Sequence, residues 1–150
     1  EMQAKGIQVE TYTVQARTLA APAEVARALK LARRTQVLCL DRVRGWGGQP
    51  VVHFRSYFHP RVGLTKDDDF RRPLYELIQE RCSIIADQSL EELRAVSADR
   101  RLAQRLAVAV GTALLRRDRT VLDTGRRPME FAVVHYRCDR FTLNLNLREE

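Results

Sequence analysis

The chain has 150 residues, a length typical of a single domain with its own hydrophobic core. Hydrophobic residues make up 45% of it and charged residues 30%, and no apolar run approaches the roughly 18 residues of a membrane-spanning helix. Residues 1–20 are polar and lack the apolar stretch of a signal peptide. These features argue against a membrane protein or a secreted one, and we expect a cytoplasmic location.

The formal net charge of +7 raises the question of nucleic-acid binding. Of the 26 basic residues 23 are arginines, and they are spread along the chain rather than gathered in one tract. The sequence contains no helix-turn-helix pattern, zinc-finger spacing or aromatic RNA-binding motif. Two interpretations of the charge stay open: a surface that binds nucleic acid, and a few arginines that converge on a small anion.

Two residue types that often bind metals are scarce: the chain has only Cys39, Cys82, Cys138, His53, His59 and His135. The cysteines form no C-x-x-C pair and share no ligand-like spacing with the histidines. We therefore expect reduced thiols, and neither a metal nor another cofactor. The Gly47-Gly48 pair lacks the G-K-[ST] ending and the following helix of a phosphate-binding loop.

The N-terminal part of the chain predicts a strand, a helix and a hairpin. Residues 8–19 alternate in polarity and are rich in Thr, Val and Tyr, as in a half-buried strand. A proline precedes a helical apolar pattern over 23–31. Strands over 36–44 and 50–58 are joined by a Gly-Gly turn over 46–49, since glycine readily adopts the positive φ angles of hairpin turns.

The middle of the chain predicts two helices separated by a less regular segment. Three aspartates at 67–69 indicate the start of a helix that ends near Cys82, because negative charge stabilises a helix N-terminus. Residues 83–98 fit a helix by propensity and an edge strand by their apolar positions, and we favour strand for part of them. Ser97-Ala98-Asp99 then caps a short amphipathic helix.

The C-terminal part predicts strands only. Residues 112–122 and 128–136 flank an Asp-Thr-Gly-Arg turn and predict a second hairpin. The segment 140–147 alternates apolar and polar residues throughout and predicts a further strand. The whole pattern indicates an α+β domain: a largely antiparallel β-sheet with helices packed on it.

Arg42 and Arg44 are the first candidate site residues. They lie two residues apart on a predicted strand, so both side chains leave the same face of the sheet. Two guanidiniums beside a tight hairpin fit carboxylate or phosphate oxygens. The alternative is a solvent-exposed charged face.

Glu130 and Tyr136 are the second candidate pair, because they share one face of the strand over 128–136 with apolar residues. A carboxylate buried there needs an arginine or a ligand hydroxyl as its partner. A plainer interpretation places Glu130 on an edge strand, facing water. His135 lies on the other face, where we interpret it as a partly buried core histidine.

The strand over 50–58 offers no catalytic motif. His53 and Arg55 share one face of it, and Phe54 and Ser56 share the other. No Ser, His and Asp residues are spaced as a recognisable nucleophile motif. The residues themselves therefore favour binding over catalysis.

Several motifs occur in the order of a known family. They are LDRVR, GGQPVVHFRSYFHP, PLYELIQERC, LEELRAVSADRRLAQRL and RRPMEFAVVHYRCDRF. From Val37 to Leu147 the chain resembles the UTRA effector domain, the C-terminal half of HutC-type regulators in the GntR family. The resemblance implies a chorismate-lyase-like fold, binding of a small and often anionic effector, and a homodimer. It also implies a linker over 1–7, the domain over 8–150, and DNA contact only through a winged-helix domain outside this chain.

The resemblance also bears on site residues. In sugar-phosphate-binding members, the arginines matched by Arg42 and Arg44 contact the ligand, and the matched late-strand residues are Glu130 and Tyr136. The ligand-binding set that we predict is Arg42, Arg44, Phe54, Ser56, Glu130 and Tyr136. Phe54 stands where the family often has glutamate, and Pro73 where it often has serine. These departures favour a less hydroxylated, more apolar or aromatic ligand over a sugar phosphate.

An enzyme remains the alternative, because chorismate lyase has the same fold and acts on an anionic substrate. Its buried site also contains an arginine and a glutamate, so Arg44 and Glu130 could be catalytic here. Fold alone does not decide between these functions. The order of the motifs favours the effector-binding domain of a regulator.

Overall fold

The computed structural model describes residues 8–148, which form a six-stranded antiparallel β-sheet with three α-helices packed on it. The strands are β1 (Glu10–Ala20), β2 (Gln36–Trp46), β3 (Gln49–Phe58), β4 (Ala86–Ser97), β5 (Ala113–Asp123) and β6 (Pro128–Arg137). The helices are α1 (Ala23–Leu29), α2 (Leu74–Cys82) and α3 (Arg100–Leu106). The strand order is β1-β2-β3-β6-β5-β4. The predicted α+β class with an antiparallel sheet is confirmed.

Both predicted hairpins are present. Gly47 and Gly48 join β2 to β3 with φ angles of 62° and 76°, the left-handed conformation that glycine adopts without steric cost. In the turn between β5 and β6, the Asp123 carboxylate accepts hydrogen bonds from the backbone N–H groups of Gly125 and Arg127, at 2.8 and 3.0 Å. These turns fix the register of the strands that they join.

Helices cover parts of both faces of the sheet. On one face, which we call face A, Leu77 and Ile78 of α2 pack in one buried cluster with Leu40 and Phe58. On the opposite face, face B, α1 buries Leu29 in a cluster that contains Val37, Cys39 and Tyr57, while α3 buries Leu106 against Leu114. Each helix covers only part of its face, which leaves room for cavities beside it.

The predicted start of the second helix is wrong. The aspartates at 67–69 lie in turns before α2, which begins at Leu74. Pro73 explains the difference, because a proline disfavours helical geometry in the residue before it and is tolerated at the start of a helix. Asp68 instead accepts a hydrogen bond from the Thr65 N–H and pairs with Arg81. One hydrophobic cluster contains Phe70 together with Leu74, Leu77, Ile78 and Cys82.

The structure decides two further predictions about strands. The segment 83–98 contains β4, which confirms the choice of strand over helix there. The strand predicted over 140–147 is absent, and residues 141–148 form no regular element. The sheet explains this, because β6 is already paired on both sides, with β3 and β5. The preceding strand therefore offers the segment no free edge.

The proposed linker over 1–7 lies outside the described residues, so that boundary stays a prediction. All three cysteines are free thiols. Between residues 8 and 148, no helix has the length and apolarity needed to cross a membrane.

Candidate ligand-binding site

The register of the central strands brings the predicted site residues to face A. Residues directly opposite each other on antiparallel strands point to the same face. Arg42 lies opposite Phe54, and Ser56 lies opposite Ala132. Since Ala132 shares its face with Glu130 and Tyr136, strands β2, β3 and β6 present one continuous set of side chains.

These side chains line a cavity of about 370 Å³ beside the N-terminus of α2. Its lining comprises Arg42, Arg44, Phe54, Ser56, Pro73, Leu74, Tyr75, Arg117, Arg119, Glu130, Ala132, Tyr136 and Phe141. The structure thus brings together all six residues of the predicted ligand-binding set. It also places Pro73, the other departure from the family pattern, at the same cavity.

Arg42 is a buried cation in this cavity. The residue is only 9% exposed, and its guanidinium carbon lies 4.9 Å from the centre of the Phe54 ring. Burial lowers the pKa of Arg42, and the positive charge of Arg44 lowers it further against the opposing effect of Glu130. A buried guanidinium in such surroundings gains stability when an anion approaches it.

Several polar atoms of the cavity lining are buried without a hydrogen-bond partner among residues 8–148. They are the Nε atoms of Arg42, Arg44 and Arg119 and the Oγ atom of Ser56. Buried polar groups in proteins are rarely left unsatisfied, and those that are call for an explanation such as a bound group. Four donors around one cavity match the acceptor oxygens of an anionic ligand.

Glu130 is the buried carboxylate of the site, with only 3% of its surface exposed. It accepts a hydrogen bond of 2.6 Å from the Tyr75 hydroxyl, which reaches it from α2. Burial and the charge of Glu130 raise the pKa of Tyr75 well above its usual range, so the phenol keeps its proton and donates. The tyrosine from the helix therefore holds the glutamate in place across the cavity.

Arg117 and Arg119 extend the positive charge of the cavity along β5. Glu91 on β4 pairs with Arg117 and lies 3.8 Å from Arg119. Neither Arg117 nor Arg119 was among the site residues predicted from the sequence. Their two-residue spacing on a strand was the available signal, the same one that pointed to Arg42 and Arg44.

Aromatic rings form another part of the wall. The rings of Tyr136 and Phe141 stack with their centres 4.1 Å apart and their planes at 19°. Phe141 lies in the segment wrongly predicted as a strand, and the stacking holds it over face A. Together with Phe54, these rings give the cavity an apolar surface beside its arginines.

The described lining offers no activated nucleophile. Ser56 is its one aliphatic hydroxyl, and that oxygen has no hydrogen-bond partner in the described chain. A serine needs an adjacent base to become nucleophilic at neutral pH. No cluster of three or more His, Cys, Asp or Glu side chains in residues 8–148 is placed to hold a metal.

A sheet-backed cavity with unpaired guanidiniums, one buried carboxylate and an aromatic wall defines a ligand-binding domain. Comparison with known proteins agrees with that class. The UTRA domain model matches residues 4–142 of the chain. The chain therefore belongs to the UTRA domain family, whose relatives named below are transcriptional regulators.

The fold and the sequence both match solved regulator domains. The ligand-binding domain of a GntR-family transcriptional regulator from Bordetella bronchiseptica is 31% identical, with a TM-score of 0.86 over 94% of this chain and 90% of that one. PhnF from Mycobacterium smegmatis superposes with a TM-score of 0.89 at 23% identity, over 99% of this chain and 67% of that one. The expected chorismate-lyase-like α+β fold of GntR regulator domains is thereby confirmed.

A curated relative places the domain within a longer protein. The HTH-type transcriptional regulator Rv0792c of Mycobacterium tuberculosis is 27% identical over 147 residues, which are 95% of this chain. The chain spans 54% of the length of that relative. This chain corresponds to a regulatory ligand-binding domain.

Proposed function

We propose that the face A cavity is the effector site and that it takes a small anion with an apolar or aromatic body. The observation that carries the proposal is the buried and unpaired Nε atoms of Arg42 and Arg44. Two guanidiniums on one face provide the fork that carboxylate oxygens fit. The rings of Phe54, Tyr136 and Phe141 suit the rest of the ligand.

A carboxylate fits the cavity better than a sugar phosphate does. Phe54 offers a ring and no acceptor for sugar hydroxyls, and it already packs against Arg42. Pro73, at the N-terminus of α2, has neither a hydroxyl nor a backbone N–H to hold a phosphate oxygen. A site that cannot pair the polar groups of a ligand rejects that ligand strongly.

The effector acts on DNA binding through a second domain. Relatives of the chain are transcription regulators, and the one from Mycobacterium tuberculosis is of the HTH type. In our proposal the whole protein is a cytoplasmic regulator of the HutC subfamily, with a winged-helix domain N-terminal to this chain. Ligand binding shifts the population of its conformations and so changes the affinity for an operator.

The domain works as a homodimer that is held together by its edge strand β4 and its C-terminal segment. β4 pairs only with β5 in the described chain, and Leu90 and Leu93 on it are exposed. Residues 141–147 carry a strand-like alternation, and Leu145 and Leu147 are 64% and 83% exposed. The β4 edge of a second copy offers this segment a strand to pair with, whereas β6, which precedes the segment, is paired on both sides.

A thermal-shift panel tests the proposed ligand class. Phenylacetate, phenylpyruvate and other aromatic carboxylates are compared with glucose 6-phosphate and inorganic phosphate. A ligand that binds only the folded state raises the melting temperature by mass action, so we expect at least one carboxylate to stabilise the domain and the phosphates to leave it unchanged. Stabilisation by sugar phosphates alone would overturn the choice of a carboxylate.

The enzymatic alternative has its own test. The cavity is lined by four arginines and Glu130, and the resemblance to chorismate lyase implies a buried site with an arginine and a glutamate. If the domain only binds its ligand, incubation with chorismate yields no product above the uncatalysed rate. Turnover that disappears in Glu130→Gln would instead establish an enzyme.

A further inference from the structure

A second cavity lies on face B, on the far side of the sheet from the proposed effector site. It has a volume of about 240 Å³ and lies between α3 and strands β3 and β6, with Glu24 of α1 at its rim. Its lining includes His53, Arg55, Arg105 and His135. None of the six residues in the predicted ligand-binding set lines it.

His53 contributes a free acceptor to this cavity. The residue is 3% exposed, and its Nε2 atom lies 2.9 Å from Oδ1 of Asp41. A carboxylate oxygen can only accept, so Nε2 carries the hydrogen and Nδ1 keeps its lone pair. That Nδ1 atom is buried and has no hydrogen-bond partner in the part of the chain that the structure describes.

His135 lies on the adjacent strand, directly opposite His53. Its Nδ1 atom is also buried without a partner among the described residues. Burial, with a smaller effect of His53, lowers the pKa of His135 to about 4, and burial lowers the pKa of His53 as well. Two neutral imidazoles therefore lie side by side at the cavity.

Arg55 and Arg105 supply donors at the same place. The Nε atom of Arg55 donates to Asp41 at 2.9 Å, while its Nη2 atom is buried and unpaired within residues 8–148. Arg105 lies with Nη1 3.0 Å from Nε2 of His53 and 3.8 Å from Asp41. Because Nε2 already carries a hydrogen, that guanidinium remains free to donate elsewhere. Asp41 is moreover shared with Arg17, at 2.9 Å.

We propose that the face B cavity is a second ligand site, which binds a small hydroxycarboxylate. The carboxylate accepts hydrogen bonds from Nη2 of Arg55 and from Arg105, and the hydroxyl donates to an imidazole Nδ1. The site does not depend on the effector proposal, since the two cavities lie on opposite faces.

Calorimetric titration of the chain with glycerate tests this site. Acetate, which lacks the hydroxyl, and glycerol, which lacks the carboxylate, serve as matched comparisons. We expect glycerate to bind at least about tenfold more tightly than acetate and glycerol not to bind. Arg105→Gln weakens glycerate binding about tenfold or more, whereas Arg71→Gln, at an exposed arginine that lines neither cavity, leaves it unchanged.

Imidazole ¹⁵N shifts of the unaltered protein give a second measurement that does not depend on the folding of any variant. Binding of glycerate shifts the Nδ1 signal of His53, since its lone pair gains a donor. A cavity that holds only water gives no heat and no shift at millimolar glycerate, and this result overturns the proposal. Binding that is lost in Arg42→Gln and kept in Arg105→Gln also overturns it, because it would belong to face A.

Discussion

The Asp41 carboxylate shows how a single residue ties together three strands. It is buried on β2, and it accepts hydrogen bonds from Arg17 on β1 and from His53 and Arg55 on β3, each at 2.9 Å. Burial alone would raise its pKa, but the bonds from His53 and Arg55 hold that pKa well below the usual range. The network is therefore sensitive to loss of its one shared acceptor.

Replacing Asp41 by alanine leaves the buried His53 ring and the partly buried Arg55 guanidinium without the acceptor that they share. We expect Asp41→Ala to lower the free energy of unfolding by about 3–5 kcal/mol, as when one partner of a buried ion pair is removed. The control is Glu92→Ala, which breaks an exposed pair with Arg94 and is expected to cost less than about 1 kcal/mol. Urea unfolding measures the loss of stability in each variant. Equal losses in the two variants would contradict the role of Asp41 as the shared acceptor of a stabilising network.

The histidines make stability depend on pH in a definite direction. Burial lowers the pKa of His135 to about 4 in the folded protein, and the pKa values of His53 and His59 are lowered as well. An unfolded histidine titrates near pH 6.5, so between about pH 6.5 and 4 the unfolded chain binds more protons than the folded one. Stability contributed by the neutral rings is thus present above this window and is lost as the pH falls through it.

Urea unfolding at pH 7.5 and pH 5 checks the direction in which stability changes with pH. We expect His135 alone to lower the free energy of unfolding by about 1–2 kcal/mol between pH 7.5 and pH 5. This is less than the whole difference between its folded and unfolded pKa values would give, because the ring is only partly buried. His135→Gln removes that share of the pH dependence. A domain that is more stable at pH 5 than at pH 7.5 would refute this account of the histidines.

At the scale of elements, the β2–β3 hairpin places Arg44 at the face A cavity, and Gly45 next to it allows the close backbone approach there. A Cβ atom on Gly45 would lie 1.9 Å from the carbonyl oxygen of Gln49, at the irregularity where Arg44 meets the hairpin. Backbone must move to relieve that contact. Gly48, in contrast, has open space around it and a φ of +76°.

Two alanine variants separate steric contact from backbone strain. We expect Gly45→Ala to cost about 3 kcal/mol or more, because the clash is with backbone rather than with a flexible side chain. Gly48→Ala is expected to cost about 1–2 kcal/mol, the penalty of a left-handed conformation. Chemical denaturation ranks them, and a larger loss for Gly48→Ala would show that the hairpin tolerates the extra atom at Gly45.

Local sequence signals predicted elements where local chemistry decides the structure. The Gly-Gly pair and the Asp-Thr-Gly-Arg turn predicted both hairpins, and alternation predicted which residues of β2 and β6 share a face. The aspartates at 67–69 failed as a helix start because Pro73 has the stronger effect on the backbone. The segment 140–147 failed because alternation indicates a strand without indicating whether a neighbouring edge is free.

The sequence could likewise predict some residues of the candidate site and not others. Arg42, Arg44, Glu130 and Tyr136 could be predicted, since each pair obeys the two-residue period of a strand. The contribution of Tyr75 could not, because it depends on where α2 packs over face A. The His53 and Asp41 contact likewise needs the register between β2 and β3, which is a property of the folded sheet.

At the scale of the whole molecule, substitutions in the exposed C-terminal segment are expected to change the oligomeric state of the domain. We expect the double variant Leu145→Asp and Leu147→Asp to be a folded monomer, since charges in an apolar interface oppose association. The control is Val110→Asp, which alters another exposed apolar residue, 67% exposed, in the loop before β5. Light scattering on size-exclusion peaks distinguishes the states. A monomeric unaltered domain, or a double variant that still dimerises, would remove the segment from the interface.

The central claim is that Arg42, Arg44 and Glu130 hold the effector in the face A cavity. Its most direct test is the calorimetric dissociation constant of the carboxylate that stabilises the domain most, measured for the unaltered chain and for Arg42→Gln, Arg44→Gln and Glu130→Gln. Arg101→Gln on face B is the control. We predict that each face A variant weakens binding at least about tenfold, or about 1.4 kcal/mol, while remaining folded, and that the control binds normally. Unchanged affinity in all three face A variants would contradict the claim.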